Sequence, residues 1–114
     1  MWQSINETTK YIAKKPMLDK EIITHPRLYK RGHHLGSHVH AQAQLLYVAK
    51  GLVNVTTPVG MFLAPPQRAV WIPSMIEHSV DVLTDIDMRN IYIEPSWLVR
   101  NSNQTQLNDV CVID

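Results

Sequence analysis

From Ala43 onward the chain is a succession of short runs rich in Val, Ile, Leu and aromatic residues, each closed by glycine, proline or an acidic turn. Nothing else in the sequence restricts the fold as much. Runs this short, with punctuation this frequent, suit strands whose side chains alternate between two faces, and no helical period is present in them. Residues 44–49 and 52–57 flank Lys50-Gly51, where glycine can take the positive φ of a tight hairpin. Pro58-Val59-Gly60 turns the chain into residues 61–64. Pro65-Pro66 ends that run, because proline has no N–H to give a ladder, and residues 69–72 resume it until Pro73. Two further strands, 78–83 and 88–93, are joined by Thr84-Asp85-Ile86-Asp87 and closed by Glu94-Pro95. A last apolar piece covers 110–113. The pattern predicts an all-β domain of antiparallel strands, a sandwich or a barrel.

At 114 residues the chain fits one core and leaves no room for a second domain. Residues 1–24 are expected to form a leader or arm, partly flexible, with faint helical spacing through Ile5, Tyr11 and Ile12; residues 25–114 are the predicted barrel. With 45% hydrophobic and 18% charged residues the composition is that of a globular protein, and no apolar run is long enough to cross a bilayer. The opening residues lack the apolar segment of a secretory signal and the single Cys111 cannot form an intramolecular disulfide, so a reducing compartment, the cytoplasm, is expected, with Cys111 a buried structural thiol. A net charge of +1 does not advertise a nucleic-acid footprint. The basic residues Lys10, Lys14, Lys15, Lys20, Arg27, Lys30 and Arg31 crowd the first third, which reads as a solvated segment in preference to an arm on DNA phosphate or an acidic partner. There is no Gly-x-Ser-x-Gly elbow, phosphate-binding loop, paired-cysteine zinc spacing or dinucleotide turn.

The residues that can carry chemistry lie in Gly36-Ser37-His38-Val39-His40-Ala41-Gln42-Ala43-Gln44 and, later, Pro73-Ser74-Met75-Ile76-Glu77-His78. If the first stretch is one strand, alternation sends His38, His40 and Gln44 to the same side as Leu46 and Val48; His78 shares a side with Val80 and Val82. Four polar groups then converge on an apolar interior, where lost hydration must be replaced by partners. A divalent transition metal such as zinc, nickel or iron would supply them, and so would a polar small molecule. The plainer reading is a set of side chains hydrogen-bonded to one another and to water. His33 and His34, bracketed by glycines, and His25, before Pro26, read as solvated loop positions. Trp71 reads as core or interface, and Gln67 and Arg68 as a rim contact.

The order His-x-His-x-x-x-Gln, then Pro-x-x-x-x-His, resembles the two motifs of the cupin superfamily over residues 36–95. The flanking residues 44–51, 55–58, 65–73 and 88–95 resemble the N-terminal domains of AraC-type transcription regulators more than cupin enzymes. That resemblance implies a cupin barrel, a double-stranded β-helix or jelly roll, that binds a small-molecule effector at His38, His40, Gln44 and His78. It further implies a homodimer without membrane contact, and DNA bound only through a C-terminal helix-turn-helix domain absent from this chain. On this reading the protein is not an enzyme, and the apolar end at 110–113 marks a fragment of a longer protein. Two departures from the enzyme pattern support it. Gln44 stands where many metal cupins carry glutamate, and Met75 where the second motif usually has glycine. An amide oxygen binds a cation only as a dipole, so metal affinity should fall. The alternative is a stand-alone metal-dependent cupin, dioxygenase- or isomerase-like, with metal on His38, His40 and His78. Against it stand Gln44 and the lack of an acid or base beside the metal, since alternation turns Glu77 away. A barrel that serves only dimerisation is the third reading.

Overall fold

The computed structural model describes residues 11–12, 21–101 and 108–113. The elements are β1 (Tyr11–Ile12), β2 (Ile22–Tyr29), β3 (His34–Val39), β4 (Ala43–Lys50), β5 (Val53–Thr57), β6 (Gly60–Ala64), β7 (Ala69–Ile72), β8 (His78–Val82), β9 (Ile86–Ile93), α1 (Pro95–Asn101) and β10 (Cys111–Ile113). Every run anticipated from residue 43 onward forms a strand, within a residue or two of its expected ends. Most of the expected arm lies outside the described residues.

The strands form two five-stranded sheets, ordered β1-β3-β8-β5-β6 and β10-β7-β4-β9-β2. Alternation builds the interior: Leu46 and Val48, Val53 and Val55, Val70 and Ile72, Val80 and Val82, and Ile86 and Met88 point inward two by two and are buried together. Each such side chain contributes on the order of 2 kcal/mol of burial. The sheets pair antiparallel, as expected, with one departure: β1 runs parallel to β3, Tyr11 opposite His38 and Ile12 opposite Val39.

Several local expectations change. Gly51 does take a positive φ of 102°, but β4 and β5 lie in different sheets, so the link is a crossover and not a hairpin. The physical reason is occupancy: β4 already pairs with β7 on one side and β9 on the other. The hairpin is instead β5–β6, where Thr57 faces Gly60 and the Thr57 hydroxyl accepts from the Val59 N–H at 3.2 Å. Residues 22–24, assigned to the arm, belong to β2, which lies along β9 from Ile22 opposite Ile93 to Tyr29 opposite Ile86. Pro26 is tolerated there because β2 is an edge strand. Pro95, read as a stop, also opens α1, where its missing N–H costs nothing. The Arg100 side chain pairs with Glu21, and Glu94 N–H donates to Glu21 O at 2.9 Å, tying the helix to the start of β2. Trp71 is buried as expected. Cys111 is half-buried on edge strand β10, opposite Trp71, not in the core as anticipated.

Candidate functional site

His38, Val39 and His40 do not continue into Gln44 as one strand. β3 ends at Val39, a bend occupies 41–42, and Gln44 belongs to β4 of the facing sheet. The four residues meet nevertheless, by a different route. On β3, Leu35 pairs with Val80 and His38 with His78, so three steps on one strand match two on the other. This bulge at Gly36-Ser37 turns both Leu35 and His38 inward, which simple alternation forbids. His40 is then placed by the turn after β7: Met75 N–H donates to His40 O at 3.0 Å, and the Ser74 hydroxyl donates to Ala41 O at 2.6 Å. Met75 itself has φ 63°, in the left-handed region.

The imidazoles of His38, His40 and His78 are all buried, and one ring nitrogen from each lies within 4.8 Å of the others. The His38 and His78 rings meet edge to face with centroids 4.3 Å apart, and His40 meets His78 at 5.1 Å. Each Nδ1 faces a backbone carbonyl: Gly36 O at 2.6 Å for His38, Gln42 O at 2.9 Å for His40 and Ile76 O at 2.8 Å for His78. A carbonyl only accepts, so each Nδ1 carries the proton and each Nε2 the lone pair. Three Nε2 lone pairs in one buried cluster are the donor set of a transition-metal centre.

Gln44 and a residue the sequence reading missed, Asn90, extend this orientation chain. Asn90 Nδ2 donates to His25 O at 3.2 Å, which turns its Oδ1 toward Gln44; Gln44 Nε2 donates to it at 2.7 Å. The Gln44 oxygen is thereby turned to His40 Nε2, 3.0 Å away. With the His40 proton held at Nδ1, acceptor faces acceptor. A cation between Gln44 Oε1 and His40 Nε2, or a second ring proton, reconciles them, so the side chains fit a metal ion. Asn90 left one mark in the sequence, an amide at an inward position between Met88 and Tyr92.

Beside the imidazoles is a cavity of about 120 Å3. Its mouth is lined by His25, Arg27 and Tyr29, alternate residues of β2, and its interior by His38, Gln44, His78, Asn90 and Tyr92 among others. His25 is thus a half-buried strand residue on the cavity, where a solvated loop position was expected. His34 is exposed as anticipated but stands on β3, its Nδ1 2.6 Å from the Asp81 carboxylate, and His33 stacks on Tyr29. Burial, with a smaller push from Tyr29, drives the Tyr92 phenol well above its ordinary value, so it stays protonated. Burial raises Tyr29 too, against the opposing charge of Arg27. Glu77 is turned from the cluster and accepts from the Ser37 hydroxyl. A wider depression of about 600 Å3, over Met61, Leu63 and Asp81, lies on the outer surface away from the buried cluster.

The model of a family described as the AraC-like ligand binding domain matches residues 23–114. The chain belongs to that family. This AraC-like ligand-binding domain is 37% identical over 59 residues to the HTH-type transcriptional regulator NimR of Escherichia coli K12, a stretch covering 52% of this chain and 22% of the regulator. The chain therefore spans about a fifth of the length of that curated relative. Among solved structures, a cupin superfamily protein of Desulfitobacterium hafniense superposes with a TM-score of 0.63 at 12% identity, over 68% of this chain and 72% of that one. Oxalate decarboxylase of Bacillus subtilis superposes with a TM-score of 0.60 at 20% identity, over 68% of this chain and 22% of the enzyme. The AraC-like domain is therefore an all-β cupin barrel. Among its described residues no helix is long and apolar enough to cross a membrane.

Proposed function

We propose that this domain is the effector-sensing part of an AraC-type transcription regulator, which binds a small molecule or a metal ion inside the barrel and thereby governs DNA binding by a helix-turn-helix module outside this sequence. The observation that carries the reading is the convergence of His38, His40, His78 and the oriented Gln44 amide in one buried cluster beside a small cavity, in a chain of the AraC-like ligand-binding family. Occupancy acts as any ligand does, by favouring the conformations that bind it better. His38, His40, His78 and Gln44 would hold zinc, nickel or iron, and a metal there would supply positive charge to an effector's polar end. In this reading the domain works in the cytoplasm as a homodimer.

A second reading is a metal-dependent cupin enzyme, favoured by the imidazole cluster and by the likeness in fold to oxalate decarboxylase, a protein with Mn(II) centres. Less favourable to it is the cavity lining, which includes no carboxylate to serve as acid or base.

The deciding measurement is moles of metal per chain in protein purified without a chelating tag, together with effector binding by thermal shift. The double variant His38→Ala, His78→Ala is expected to lose both metal and effector binding while the barrel stays folded. Unchanged binding in that variant removes the site.

A further inference from the structure

The cavity's lining carries a single fixed charge, that of Arg27. Arg27 and three imidazoles, those of His25, His38 and His78, line it, and no Asp or Glu does. Two other arginines have carboxylate partners: Arg89 is bidentate on Asp87, and Arg100 pairs with Glu21. Arg27 has none within ion-pair distance among the described residues; its guanidinium donates to the Pro26 carbonyl at 2.8 Å and to His25 Nε2 at the cavity mouth. Its side chain also hydrogen-bonds Tyr29, and with five N–H donors in a fork that matches a carboxylate a guanidinium still has donors to spare. At the inner end the Gln44 and Asn90 amides are fixed by one another and by His25 O. A carboxylate is the complement of the guanidinium at the mouth, which repels an ammonium ligand.

Size narrows the class further. A cavity of about 120 Å3 is far below the several hundred Å3 of drug-sized sites.

We propose that the effector is a short-chain carboxylate of about two to four carbons, its anionic end held by Arg27 at the mouth and its chain lying against the imidazoles of His38 and His78. This deepens the sensor reading and rests on it. Arg27 is the residue that sets the charge of the ligand; the buried cluster sets its length.

The test is calorimetric titration of the chain with propanoate and with its neutral isostere propanamide, with hexanoate as the length control. Propanoate is expected to bind at least about tenfold more tightly than propanamide, a difference of about 1.4 kcal/mol. Arg27→Gln should bring the two together, Arg27→Lys should keep part of the preference, and hexanoate should bind more weakly than propanoate. Since Arg27 is exposed at the mouth, neither variant should disturb folding, which circular dichroism checks. Equal affinity for acid and amide, or propanoate affinity unchanged in Arg27→Gln, overturns the carboxylate assignment and leaves the barrel a sensor of neutral effectors. Silence toward the whole panel overturns it as well, and the sensor reading itself is then judged separately by the loss or persistence of metal and effector binding in the His38→Ala, His78→Ala variant.

Discussion

Met75 shows how a single position can matter without touching the ligand. Its φ of 63° lies where L side chains are disfavoured by about 1 kcal/mol or more, and its side chain is 55% exposed, so packing returns little. Met75→Gly should raise stability in urea by about 0.5 kcal/mol, the strain relief exceeding the entropy that glycine adds to the unfolded chain. Gly51 is the converse: with φ 102° and an ideal Cβ only 2.5 Å from Asp85 O, Gly51→Ala should cost at least about 2 kcal/mol. Gln44→Glu tests the orientation chain. It sets a carboxylate oxygen against Asn90 Oδ1, which His25 O holds in place, so the metal-free protein should lose about 1–3 kcal/mol, recovered on titration with zinc. Tyr92 gives a pH dependence. Its folded-state pKa is raised, so its contribution is complete below the unfolded value near 10 and lost as pH climbs from there toward the folded one. Tyr92→Phe should flatten that alkaline fall, followed as unfolding against tyrosinate absorbance. Residue identity at the site was legible in the sequence because histidines at fixed spacing are rare; Asn90 was not, because an amide acquires its role only when His25 O comes beside it from another strand.

Strands were legible where both ends were marked. The runs at 69–72 and 78–83 lie between prolines, a histidine and an acidic turn, and they became β7 and β8 almost residue for residue. Pairing was less legible, since Gly51 favours a sharp turn but cannot say whether the next strand returns along β4 or crosses to the facing sheet. That choice belongs to β9 and β7, which fill both edges of β4. The His38–His40–Gln44 expectation shows the same limit: the residues were placed together on the premise of one strand, yet a bulge and a bend bring them together from two sheets. Helix α1 was missed because Pro95 both ends a strand and opens a helix. At this scale the order of stability follows position. Amide exchange should be slowest in β4, which is central to its sheet with Leu46 and Val48 fully buried, and fastest in edge strands β2 and β6. Equal protection of β4 and β6 would contradict the topology.

Considered as one object, the barrel is built almost wholly from partners distant in sequence. β2 must find β9 and β3 must find β8 before either gains a ladder, so folding should take milliseconds to seconds, not microseconds, in stopped-flow refolding. The same topology decides where the polar cluster sits. His38 and His78 hang from one sheet, Gln44, Asn90 and Tyr92 from the other, and His40 from the link between them. An occupant seated among them therefore works as a rivet through both leaves of the sandwich. The two leaves cannot part without stripping its bonds, and the resistance of the whole barrel to prying open becomes a readout of whether anything is inside.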